Sequence, residues 1–191
     1  MLSFVSSYTQ GNLEILCVFQ NHIFIMFLED DVFVKITDFV TKIGIPIHYG
    51  QIENESFLSG LMIDKGTLVI DKSRLTYMGD VLHEAGHIAL MNPSERKHLT
   101  EKLEGQSDPE ATEMAVIAWT YAVCLEIGID PAVVFHPDGY KGGSESILEN
   151  FGNGQYFGVP ILEWYGMTER INNAKQNNTR SYPKMLSWMR T

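Results

Sequence analysis

Three residues of one short run, His83, Glu84 and His87 in His83-Glu84-Ala85-Gly86-His87, have the types and the spacing that metal-assisted hydrolysis needs. On an α-helix, positions i and i+4 lie one above the other on a single face, so both imidazoles can close on one metal ion. A glutamate directly after the first histidine stands beside that ion, where its carboxylate can take a proton from metal-bound water. The metal expected is Zn²⁺, with His83 and His87 as ligands and Glu84 as the general base.

A five-residue pattern is short, so its surroundings matter. Gly79-Asp80 before Val81-Leu82 supplies a turn and an N-cap carboxylate, and Asn92-Pro93 ends the segment, which predicts one short helix of about three turns. Leu82, Ala85 and Ala89 form its inward stripe. Gly86 in mid-helix costs roughly 1 kcal/mol against alanine, so it calls for a packing or functional reason; with Ala85 it would let another backbone approach closely.

Two histidines are too few for a catalytic zinc site, which usually has three protein ligands and a water. Glu110 and Glu113 lie on the next strong helix, which would fold back to bring one carboxylate to the metal. Glu110 follows Asp108-Pro109, where the helix dipole favours an acid in any case. Glu113 stands one turn further in among Met114, Ala115, Ile117, Ala118 and Trp119, where a carboxylate needs a partner if that turn is buried. Glu113 is the preferred third ligand, with Glu110 as the alternative; Asp130, His136 or no third protein ligand stay open behind them. The glutamate that does not bind metal would orient a ligand histidine. His136 and Tyr140, in the loop Val133 to Tyr140, are candidates to donate a hydrogen bond to the oxyanion of a tetrahedral intermediate. His22, His48 and His98 have no partner spacing, and Trp119, Trp164 and Trp188 read as core anchors.

These residues need elements to position them. Over 28–43, Val32, Phe33, Ile36, Phe39, Val40 and Ile43 recur at helical spacing, with Gly44 as the stop. Ile45-Pro46-Ile47, Gly60 to Ile63 and Thr67 to Asp71 read as strands, the last two joined by a hairpin turn at Asp64-Lys65-Gly66. A charged helix is expected from Ser94 to Leu103, a long one from Asp108-Pro109 to about Glu126 closed by Gly128, and a shorter one from Asp130-Pro131. Beyond His136 frequent glycines space short aromatic segments, giving loops and short helices, and the tail from Thr168 to Thr191 reads as a solvated helix or partly ordered end. The expected fold class is α+β, divided into an N-terminal strand or extension over 1–27, a core over 28–128, and a Gly-rich region over 129–191 that completes the same domain.

Composition narrows the partners. The chain has 191 residues, 45% hydrophobic and 20% charged, enough for one sizeable core, and its formal charge of -10 argues against a phosphate-binding surface. No nucleic-acid partner is expected. Cys17 and Cys124 are too few and too far apart for a disulfide framework. The apolar stretch Leu13 to Leu28 contains Glu14, Gln20, Asn21 and His22 and is shorter than a bilayer span, and no Lys or Arg precedes Lys35 to form the n-region of a secretory signal. The expected setting is cytoplasmic, with no membrane partner. Nothing in the sequence bears on oligomeric state.

Over about residues 28–126 the chain resembles the ImmA/IrrE-like metallopeptidases, intracellular zinc proteins of the gluzincin type. The resemblance rests on the amphipathic helix, the small sheet with its hairpin, His83-Glu84-Ala85-Gly86-His87 and a later helix with a glutamate followed by alanines. It implies a zincin-like fold in which the sheet packs on the His-Glu helix, with His83 and His87 as ligands, Glu84 as base and Glu113 to Ala118 as the third-ligand segment. The Glu-Ala-Asn-x-Phe-Ala pattern usual on that helix is matched more literally by Glu110-Ala111-Thr112-Glu113-Met114-Ala115. The activity expected is hydrolysis of a peptide bond in an intracellular protein or peptide. The alternative is a zinc-bearing regulatory or interaction protein, toxin-antitoxin or phage-associated, without turnover. For substrate alignment the expected edge strand is Thr67 to Asp71.

Overall fold

A computed structural model describes residues 31–53, 56, 58–100, 108–169, 175 and 180–191. The extension expected over 1–27, with Cys17 and His22, lies outside these residues. Contacts divide the chain into Met1–Lys35 and Ile36–Thr191. Of the first unit the described part is helical, with Lys35 Nζ 2.7 Å from Asp31 Oδ2 one turn away.

The architecture is α+β, with a small mixed sheet and several helices. Helix α1 covers 31–42, and Gly44 follows it at a φ of 95°, as its position after the apolar repeat predicts. Three strands come next: β1 (Ile47–Tyr49), β2 (Leu61–Asp64) and β3 (Thr67–Ile70). The hairpin between β2 and β3 turns through Lys65 and Gly66, both at positive φ (51° and 73°), the geometry that suits the twist of a two-residue connection. The sheet order is β1-β3-β2, with β1 parallel and β2 antiparallel to β3.

That order overturns the expectation for Thr67 to Asp71. A hairpin is local and shows in sequence, but the parallel partner Ile47–Tyr49 pairs with residues 21 positions along the chain and occupies the side of β3 that the hairpin leaves open. β3 is therefore a central strand with both edges paired, and among the described residues the free edges belong to β1 and β2.

Helix α2 (Asp80–Leu90) packs against β2, β3 and the long helix α3 (Pro109–Ile127). Val81, Leu82, Ala85, Ile88 and Ala89 are fully buried, a wider apolar surface than the three-residue stripe expected. Gly86 explains itself here. A Cβ at this position would lie 2.8 Å from Cγ1 of Val116 and 3.2 Å from the Trp119 ring, so the glycine lets α2 and α3 approach closely. In α3 the ends follow the sequence: Asp108 accepts a hydrogen bond from the Ala111 N–H at 3.0 Å, and Gly128 takes a left-handed φ of 67°.

Other expectations are corrected as well. Asp80 does not cap α2; Gly79 occupies that position without a side-chain bond. The helix expected from Ser94 shows only a 3-10 turn, Arg96–His98, with 101–103 outside the described residues, and Asp130-Pro131 opens another 3-10 turn, Pro131–Val133. Trp164 is 79% exposed, whereas Trp119 is buried and packs with Phe39 and Trp188. The described end of the tail is docked: the Trp119 Nε1–H donates to the Trp188 carbonyl at 3.0 Å and the Tyr182 hydroxyl to the Ala118 carbonyl at 2.9 Å. Arg190 N–H donates to the Ala89 carbonyl, while the Arg96 guanidinium donates to the carbonyls of Ile88, Met91 and Arg190. The Arg96 guanidinium and the Arg190 backbone N–H thus satisfy carbonyls at the end of α2, from positions no local pattern connects.

The Gly-rich region contributes a 3-10 turn (Tyr140–Gly142), helix α4 (Ser144–Gly152) and helix α5 (Val159–Trp164). No helix among the described residues is long and apolar enough to cross a membrane.

Candidate metal centre

Because α2 is buried along most of its circumference, the side chains of its histidines are held by packing. His87 is 3% exposed and His83 15%. Their Nε2 atoms stand 3.3 Å apart, with the ring planes at 79° to each other. The Glu84 carboxylate shares the cluster, all three ligand-type atoms lying within 4.8 Å of one another. Across from this pair α3 presents Glu113, whose Oε1 is 3.3 Å from His83 Nε2 and whose Oε2 is 3.4 Å from His87 Nε2. Glu110, one turn earlier, is exposed in the first turn of α3. The two candidate glutamates therefore differ in position: Glu113 faces both imidazoles, whereas Glu110 fits the plain first-turn acid.

The electrostatics follow from this geometry. Burial, reinforced by the charge of His87 and opposed by Glu113, holds the His83 imidazole down to about 4, so at neutral pH it is uncharged. Burial works to raise the Glu113 carboxyl, but the hydrogen bond with His87 and the charges of His83, His87 and Lys141 outweigh it and keep the group below its ordinary value. At neutral pH the donor set is thus a neutral His83 imidazole and an ionised carboxylate, the forms in which these side chains bind metals.

Tyr140 sits at the back of the site. Its hydroxyl is 3.1 Å from Nδ1 of His83, the ring nitrogen on the other side from the one facing Glu113. Burial, followed by the nearby charges of Glu113 and Asp80, pushes the phenol well up, so it stays protonated. His136 is buried and engaged elsewhere: its Nε2 is 3.2 Å from Asp80 Oδ1, and its ring stacks on Tyr77 at 3.7 Å. Tyr77 in turn donates its hydroxyl hydrogen bond to Asp138. Of the two residues expected at an oxyanion, Tyr140 contacts a ligand-type histidine and His136 is paired with an acid.

Asp80 is expected from sequence only as a helix cap, and Tyr77 carries no sequence expectation. For Asp80 the signal was present, since position 80 lies three residues before His83 and so on the same helical face. Nothing local marks Tyr77 as the ring against His136. His48 and His98 are exposed, as their lack of partner spacing suggests, and Cys124 is buried with its thiol pushed up to about 12, an inert form.

The residues fit a zinc ion. Four ligands at 2.0–2.1 Å in a tetrahedron are separated by about 3.3–3.4 Å, and the spacings among His83, His87 and Glu113 are 3.3, 3.3 and 3.4 Å. Two imidazoles and a carboxylate are also a usual donor set for catalytic zinc.

Comparison of the chain with family models, with curated proteins and with solved structures returns no significant match.

Proposed function

We propose that the chain is a zinc-dependent metallopeptidase with a zincin-like fold, of the kind its resemblance to the ImmA/IrrE-like proteins implies, acting in the cytoplasm on a protein or peptide. The observation that carries this reading is the triangle of His83 Nε2, His87 Nε2 and the Glu113 carboxylate, with edges of 3.3–3.4 Å. These three residues would hold the ion. Bound there, zinc supplies Lewis acidity: it lowers the pKa of a coordinated water to about 7 and polarises a carbonyl.

The chain's own residues supply the rest. Glu84, placed beside the two imidazoles but one residue along the helix from His83, takes the proton from the attacking water and passes it to the departing amine. Tyr140 orients His83. For Nε2 to offer a lone pair, Nδ1 must carry the ring proton, and the phenol oxygen at 3.1 Å accepts it. Packing of α2 against α3 fixes the spacing between the histidines and Glu113, so little rearrangement is needed when metal binds.

The test is elemental analysis of protein purified without chelator, together with a Glu84→Gln variant. Close to one zinc per chain is expected in both, with peptide turnover in the wild type and a loss of several orders of magnitude in the variant. Wild type without metal overturns the reading. Zinc in both with no turnover in either makes the chain a zinc-bearing regulatory or interaction protein instead.

A further inference from the structure

The backbone at Tyr140 is in a conformation its side chain disfavours. Tyr140 and Lys141 both take a φ of 53°, in the left-handed region, where a Cβ crowds the following carbonyl. Such a conformation persists only where the surroundings over-determine it. The 3.1 Å contact of the Tyr140 hydroxyl with His83 Nδ1 is one constraint, but it acts at the far end of a long side chain, so the backbone needs a second.

His136 supplies it. Its ring stacks on Tyr77 at 3.7 Å and its Nε2 is 3.2 Å from Asp80 Oδ1, whereas Nδ1 is buried with no hydrogen-bond partner among the described residues, so Asp80 is the polar tether of the ring. Gly139, the residue before Tyr140, comes up against the same ring: a Cβ there would lie 3.2 Å from Cε1 and 3.3 Å from Nε2 of His136. The His136 carbonyl accepts from the Gly139 N–H at 3.0 Å and from the Ser144 hydroxyl at 2.6 Å, which closes the turn on the histidine, and Tyr77 donates to Asp138 within it. Both ends of this circuit stand on α2, where Asp80 and His83 are three residues apart and share a face. Asp80 holds the ring, the ring bears on Gly139, and the next residue delivers its hydroxyl to His83.

We propose that His136 is a positioning residue of the metal centre: tethered by Asp80, it sets the turn so that Tyr140 meets His83. The inference rests on the metallopeptidase reading and gives His136 no direct part in the chemistry.

Two polar replacements separate the tether from the bulk of the ring. In His136→Gln the amide nitrogen reaches the place of Nε2, whereas in His136→Asn it falls at the place of Nδ1 and leaves Asp80 without a donor. Zinc affinity of the full chain is measured by competition with a chelator. His136→Asn should weaken zinc about tenfold, the scale of a lost support to a ligand histidine, and His136→Gln should restore most of that loss. Gly139→Ala, at a φ of -94° that any residue adopts, presses on the ring from the side of the turn and should weaken zinc in the same direction. Because both changes act through Tyr140, neither should weaken zinc further in a Tyr140→Phe chain, a result that a general loosening of the fold would not give. Equal losses in the two backgrounds, a loss in His136→Gln as large as in His136→Asn, or wild-type affinity in both His136→Asn and Gly139→Ala overturns the inference and leaves the zinc site standing. A wild-type chain that takes up no zinc overturns the metallopeptidase reading and this one with it.

Discussion

Tyr140 and His83, 57 residues apart, meet through a 3.1 Å contact between the phenol oxygen and imidazole Nδ1. The contact ties a turn of the Gly-rich region to the helix that carries the histidine pair. Since it engages the nitrogen that does not face Glu113, it can govern how His83 points without occupying the space in front of it. Tyr140→Phe should therefore leave the fold intact and weaken zinc by about ten- to a hundredfold. A competition titration with a chelator measures this, and an unchanged affinity would remove Tyr140 from the support of His83.

The two glutamates of α3 are separated by the same kind of titration. Glu113 faces both Nε2 atoms, whereas Glu110 is exposed. Glu113→Gln should weaken zinc strongly, and Glu110→Gln should cost only about 0.3–1 kcal/mol of stability through the helix dipole, with zinc affinity nearly unchanged. The reverse order would transfer the ligand role to Glu110.

Acid should destabilise the metal-free chain through His83. Its folded pKa of about 4 lies below the ordinary 6.5, so between those values the unfolded chain binds the extra proton. The stability associated with the neutral ring is fully present above about pH 6.5, is lost as pH falls through that window, and stops changing below about pH 4. The shift corresponds to roughly 3 kcal/mol at most. Urea midpoints of metal-free protein at pH 7 and pH 4.5 report it, and His83→Phe should flatten that part of the profile. An unchanged pH dependence in the variant would show that other groups carry the acid sensitivity.

Helix packing gives a prediction free of metal. Gly86→Ala would place a methyl 2.8 Å from Cγ1 of Val116, a stiff and fully buried side chain. Overpacking of about 1–3 kcal/mol outweighs the roughly 1 kcal/mol that alanine gains in helix propensity, so the melting temperature should fall. Adding Val116→Ala should relieve the clash, and a double variant less stable than the sum of the single changes would refute this account.

Much of the site was legible because its logic is local. The i, i+4 spacing of His83 and His87 needs only a helix, and the apolar stripe around it and the breaker after it announce one. The limits of α3, from Asp108-Pro109 to Gly128, and the turn at Lys65-Gly66 were legible for the same reason, since capping and turn chemistry act within a few residues. Glu113 could be preferred over Glu110 from its apolar neighbours, but its place against both imidazoles depends on how closely α3 approaches α2.

What the sequence by itself determined, then, is the helices α1, α2 and α3, the hairpin and the histidine pair, because propensity, capping and periodicity are interactions between near neighbours. Tertiary structure alone decided that β1 covers the open edge of β3, that Asp80 meets His136 instead of capping α2, that Tyr140 meets His83, and that Arg96 and Arg190 complete the end of α2. Each joins segments far apart in the chain or chooses between partners a polar group could take. Such choices are made by burial: a strand edge, a carboxylate or a helix terminus withdrawn from water must find a partner, and which one is within reach is settled only when the whole chain has packed.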